Sequence, residues 1–190
     1  MYQALLVDAK FHQLLLAFDG DLADAARATP CGRCRGVLHS AGYPRKPRGQ
    51  PGLGQEHCRR FSFCCARRDC RQRKTPASLR FLGRKVYLAA MVVLISTMRD
   101  GATAARVQKL SNLFGVSRRT VARWRQWWLS SFAASPFWQA ERAAFMPPVD
   151  TQRLPASLVE RFAGGVQEQL IALLRFLGPI TGGTFTMHAA

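Results

Sequence analysis

The sequence predicts a mainly α protein with one small β unit before its middle. Three observations carry that prediction. All six cysteines fall between Cys31 and Cys70, in a stretch punctuated by glycine and proline. Apolar residues before and after that stretch recur at helical spacing. A single glycine, Gly115, separates two such runs with the spacing of a packed helix pair. With 190 residues, 48% of them hydrophobic, the chain is large enough to bury a core.

Residues 1–30 read as an N-terminal helical segment. Leu5, Leu6, Phe11, Leu14, Leu15, Phe18 and Leu22 mark an apolar stripe, and Asp19-Gly20-Asp21 is the expected break between two short helices. No basic n-region precedes the apolar residues, and Asp8, Lys10 and His12 interrupt them, so a signal peptide is not expected. The later apolar run Val86 to Met98 holds about 13 residues, too few to span a bilayer. A soluble, cytoplasmic protein with no membrane partner is the expectation. In that compartment the cysteines are better metal ligands than disulfide partners.

Residues 31–80 form the cysteine segment. Strand candidates, Gly36 to Ser40 and the "RRFSFCC" run, flank a loop that cannot be helix and that carries Arg45, Lys46 and Arg48. So little apolar sequence needs a staple, and a metal is the usual one. Cys31 and Cys34 make one close pair. Cys65 and Cys70 make the second, with Cys64 as the alternative to Cys65, and His39 and His57 compete for a ligand position. Two pairs with a strand beside each describe a zinc ribbon. Its Zn2+ is structural, because four protein ligands leave no open coordination position. Cys58 is expected to be a buried free thiol rather than a ligand.

Residues 81–130 read as helix throughout. A first helix, Arg84 to Met98, is closed by Asp100-Gly101. A pair follows, with Leu110, Phe114, Val116, Val121 and Trp124 facing inward around a turn at Gly115. Ser111 is small where the helices come closest, and Ser117 caps the second helix. Arg118, Arg119, Ala122, Arg123 and Gln126 then point outward, a set suited to phosphates and base edges in a major groove; Ser117 and the loop residues Arg45, Lys46 and Arg48 are expected to add DNA contacts, the loop on phosphates. Arg118 and Arg119 oppose the helix dipole, a cost that a polyanion offsets. Trp127 and Trp128 are expected to pack on the first helix.

Residues 131–190 form a C-terminal helical segment and tail. A helix is expected from Ala156 to Leu177, with Gly164-Gly165 as its point of interruption, and the tail from Gly178 onward is expected to fray.

The charge distribution agrees with a nucleic-acid footprint. The formal charge is +17, yet residues 1–30 are net acidic and 129–190 neutral, so the whole excess lies in 31–128.

The cysteine set Cys31, Cys34, Cys65, Cys70, the junction "CRQRKTPASLRFLGRKVYL" and the motif "LFGVSRRTVARWRQWW" together resemble the DNA-binding part of bacterial insertion-sequence transposases and their accessory proteins. The likeness covers residues 31–128, about half of the chain. It implies double-stranded DNA as partner, with a catalytic transposase or a second copy of this chain as candidate further partners. Such transposases cut DNA with three acidic residues holding two metal ions. Here Glu141, Asp150, Glu160 and Glu168 follow the helix pair in a segment that reads as helix and loop, and no converging set can be assembled from them. His12, His39, His57 and His188 are scattered, and no glycine-rich phosphate loop is present. The expected protein is therefore not an enzyme. It is a DNA-binding accessory protein or truncated transposase, mainly α, in which a small β zinc ribbon precedes a three-helix helix-turn-helix unit and a C-terminal helix. A helix-turn-helix transcriptional regulator built from the same parts is the alternative.

Overall fold

The computed structural model describes residues 2–49, 52–83, 85–99, 108 and 112–185. The chain is mainly α with a small antiparallel sheet. Helices α1 (Tyr2–Val7) and α2 (Ala9–Ala28) are followed by strands β1 (Leu38–Ser40), β2 (Tyr43–Pro44), β3 (Arg59–Arg60), β4 (Phe63–Cys65) and β5 (Arg73–Thr75). Then come α3 (Ala89–Arg99), α4 (Arg118–Gln126) continued by a π-helical turn (Trp127–Phe132), α5 (Pro136–Glu141), α6 (Ala156–Val159), α7 (Val166–Phe176) and β6 (Gly183–Phe185). Among the described residues no helix is long and apolar enough to cross a membrane.

The N-terminal break falls at Asp8 rather than at Asp19-Gly20-Asp21. Asp8 caps α2 by accepting from the Lys10 amide at 2.9 Å, and α2 runs unbroken through Gly20. Asp19 accounts for the difference. Its carboxylate is buried and accepts from Ser78 Oγ at 2.6 Å, the Leu79 amide at 2.7 Å and Arg80 Nε at 2.8 Å. Those partners lie about sixty positions away, so the residue that reads as a turn signal is a satisfied buried acceptor that pins α2 to the chain after β5.

Four strands form one sheet in the order β1-β4-β5-β6. Leu38 faces Cys65 and Ser40 faces Phe63 across the first pair, and Phe63 faces Lys74 across the second. Tyr43 and Pro44 pair with Arg60 and Arg59 in a separate two-stranded ribbon. A small core of Leu38, Phe63 and the cysteines is closed from the helical side by Ala23 of α2. Gly178 to Phe185 do not fray as the sequence suggests; the rest of the tail, 186–190, lies outside the described residues. Gly178–Ile180 form a 3-10 turn, and β6 pairs with β5, Thr75 facing Gly183. Gly182 permits this approach: a Cβ there would stand 2.9 Å from the Thr75 carbonyl oxygen. Buried Arg60 ties the same seam, donating to the carbonyls of Pro76 and Thr181.

The larger core is built on α3, in which every residue from Ala89 to Ser96 is buried. A helix apolar all round must be covered on all sides, and α1, α4, α6 and α7 each lie against it. It begins at Ala89, five residues later than the Arg84 start expected. Tyr87 and Leu88 are held instead in β-bridges to Arg48 and Phe81, while Arg84, Asp100 and Gly101 lie outside the described residues. Leu82, Gly83 and Lys85 to Leu88 are therefore not helix. The expected helix of the C-terminal segment exists as two, α6 and α7, separated around Gly164-Gly165, where Gly164 takes a φ of +97°.

Candidate metal centre and nucleic-acid interface

Cys31, Cys34, Cys65 and Cys70 bring their sulfurs within 4.8 Å of one another, and all four are free thiols. Cys34 and Cys65 lie 3.3 Å apart, Cys31 and Cys70 3.7 Å. Thiolates about 2.3 Å from a central ion at tetrahedral angles stand roughly 3.8 Å from each other, so the donor set fits a four-coordinate metal. The two turns are built alike: the Arg35 amide donates back to the Cys31 carbonyl at 2.8 Å, and the Arg71 amide to the Arg67 carbonyl at 3.1 Å.

Burial raises the Cys31 thiol, but backbone amides of Cys34 and Arg33 and the neighbouring thiols outweigh it and bring Cys31 down to about 7. Burial raises Cys65. One sulfur is thus ready to ionise beside a sulfur that resists it, an arrangement that a cation resolves. The choice between Cys64 and Cys65 follows from the pleat. Cys65 points inward with Phe63, while Cys64, on the opposite face, makes only weak contacts to the carbonyls of Cys65 and Arg71. His57 is buried elsewhere, edge-on to His12, and His39 is exposed. Neither histidine joins the cluster, and neither does Cys58.

The second element is the turn at Gly115 and the helix after it. Gly115 takes a φ of +59°, the left-handed conformation that costs a residue with a Cβ. Asn112 to Phe114 are helical ahead of it; Leu110 and Ser111 lie outside the described residues. Ser117 caps α4, its Oγ accepting from the Thr120 amide at 3.2 Å. Phe114, Val116, Thr120, Val121 and Trp124 are buried, and the Trp124 ring meets Tyr87 edge-on at 5.1 Å.

Arg118, Arg119, Ala122, Arg123 and Gln126 are all exposed. Arg118 is steadied by Gln108, whose Oε1 accepts from its Nε at 2.8 Å, and Arg123 by Thr120 Oγ1 at 3.2 Å. Trp128 is fully buried in the large core. Trp127, half-buried, lies under the Lys85 ammonium at 3.7 Å.

The basic loop is less uniform than its sequence suggests. Lys46 and Arg48 are exposed, but the Arg45 guanidinium donates to the carbonyls of Gly83 and Lys85 and lies over Phe81. Its charge is engaged in holding the loop to the helical core. The later carboxylates are dispersed in local roles: Glu160 pairs with Arg153 at 2.8 Å, Asp150 accepts from the Gln152 amide, and Glu168 packs against Gly164 and Gly165. Around the cysteines stand exposed arginines that the sequence reading passed over: Arg33, Arg35, Arg67, Arg68 and Arg71. Their signal is an arginine directly following the second cysteine of each pair.

Compared with known proteins, the chain matches no family model, no curated protein and no solved structure.

Proposed function

We propose that this chain is a duplex-DNA-binding protein, with α4 as the element that enters the groove and a structural zinc ion in the Cys31, Cys34, Cys65, Cys70 cluster. The observation that carries the reading is the division of α4 into two faces. Thr120, Val121 and Trp124 are buried, while the whole outward row Arg118, Arg119, Arg123 and Gln126 stays in solvent behind a glycine turn and a serine cap. Arginine reads guanine edges and phosphates, and glutamine reads adenine. A helix-turn-helix presents its second helix in this way. The zinc ribbon supports that unit, and Lys46 and Arg48 of its loop contribute phosphate contacts.

The resemblance to insertion-sequence transposases supports an accessory protein or truncated transposase of a mobile element, acting on its DNA without cutting it. Titration of the full chain with duplex DNA tests the reading. The Arg119→Ala/Arg123→Ala variant is expected to bind more weakly and to lower the slope of log affinity against log salt by about 2, with an unchanged thermal midpoint. An unchanged affinity removes α4 from the interface.

A further inference from the structure

We infer that the two cysteine turns form a second DNA contact, a crown of arginines that grips the phosphate backbone; the inference rests on the DNA-binding reading above. Among the described residues only two without glycine's freedom take a positive φ: Arg35 at +60° and Arg71 at +46°. They occupy the same place, directly after the second cysteine of each pair, where the amide closes the turn onto Cys31 and Arg67 respectively. Glycine adopts this backbone without strain, yet each turn carries an arginine there. Neither guanidinium makes a hydrogen bond, ion pair or ring contact with another described residue, and both are exposed. A strained conformation kept at two equivalent positions, for a long exposed side chain with no polar or ring partner among the described residues, points to a role outside the fold.

The surrounding residues extend the patch. Arg33 and Arg68 are exposed and likewise make no side-chain hydrogen bond, ion pair or ring contact among the described residues. Arg67 bridges the two turns: its stem lies against Gly36, where a Cβ would meet its Cγ and Cδ at 3.1 Å, and its head group reaches Asp69 at 3.3 Å. The four sulfurs, within 4.8 Å of one another, hold both turns against a common centre. A divalent ion with four thiolates leaves two negative charges, and Asp69 adds one. The five arginines outnumber them, so the patch stays positive with metal bound.

The chemistry selects phosphate. Guanidinium groups bind phosphate oxygens in pairs and hold their charge at every physiological pH. The segments 31–36 and 65–71 contain no aromatic residue, so the crown has no platform on which unpaired bases could stack. It therefore contacts backbone and adds affinity without sequence preference.

The test substitutes the residue that the backbone favours. Arg35→Gly/Arg71→Gly relieves the left-handed strain while deleting both guanidiniums. We expect one metal per chain and the thermal midpoint to be retained. Affinity for a duplex DNA should fall about tenfold at low salt, and the slope of log affinity against log salt should drop by about 2. Lost metal or a lowered midpoint with an unchanged slope would mean the arginines serve the fold, and overturns the proposal. Wild-type affinity and slope in the variant, with the wild type binding duplex DNA, overturn the crown alone. A wild type that shows no salt-dependent duplex binding overturns the DNA-binding reading itself. Tighter binding of the wild type to duplex RNA of the same length overturns the choice of partner.

Discussion

Asp19 and Arg80, sixty-one positions apart, form a buried ion pair: Oδ2 and Nε stand 2.8 Å apart, with side chains 0% and 2% exposed. Arg80 spends its remaining donors on the carbonyls of His57 and Arg59 and lies over Phe61 and Phe81. The pair therefore joins α2, the short ribbon and the entry to α3 at one point. Removing one partner of such a pair strands the other in an apolar site, at a cost of about 3–5 kcal/mol. Asp19→Asn is expected to lower stability by that amount, read from urea denaturation. A change below about 1 kcal/mol would mean that the contact is replaceable.

The cysteine cluster makes a selective prediction. Cys34→Ser should lose stoichiometric metal, whereas Cys58→Ser and Cys64→Ser should keep one ion per chain, because their sulfurs lie outside the cluster. Native mass spectrometry of the three variants distinguishes them. Metal loss from Cys64→Ser would shift the ligand set by one residue.

At the turn, Gly115→Ala meets backbone strain without steric conflict, since a Cβ there finds nothing within 4 Å. The expected loss is about 1 kcal/mol. Ser117→Ala removes the cap of α4, with a similar loss of about 1 kcal/mol. Thermal denaturation of each variant checks both, and a Gly115→Ala protein as stable as wild type would show that the turn does not need the left-handed conformation.

Lys85 borders a cleft of about 530 Å³ between Trp127, Ser131 and Phe132. Burial lowers its ammonium from 10.5 to about 8. Between those two values the unfolded chain holds this proton and the folded chain does not, so stability gains from this group as pH rises from about 8 to 10.5. Below pH 8 both states are protonated, and the contribution no longer changes. Lys85→Met should flatten the pH dependence of the unfolding free energy across that window. Equal slopes in variant and wild type would place the titration on another group.

What the sequence reveals here is what neighbours in the chain determine. Gly115, Ser117 and the buried positions Phe114, Val116, Val121 and Trp124 are legible because a turn, a cap and a 3.6-residue period act within a few residues. The four cysteines are legible because each turn brings two of them together locally, and only the choice of Cys65 over Cys64 required the strand pairing. The misread elements depend on distant partners. Asp19 is a helical residue because of Arg80, Tyr87 and Leu88 are extended because of Arg48 and Phe81, and Gly183 to Phe185 form a strand because β5 has an open edge. Arg45 belongs to the same class: its charge reads as surface until the carbonyls of Gly83 and Lys85 are seen to take it.

The sheet order β1-β4-β5-β6 also sets a timetable for biosynthesis. Thr75 of β5 is translated more than a hundred residues before its partner Gly183. At roughly 5–20 residues per second the edge of β5 therefore stays open for about 5 to 20 s on the ribosome. During that interval β1, β4 and β5 have only a small apolar cluster beneath them, and an unpaired strand edge invites pairing with other chains. Metal captured early by the nascent cysteine turns would close the unit before its last strand arrives, so scarcity of the ion during translation should appear as aggregation of newly made chains rather than as slow loss of mature protein.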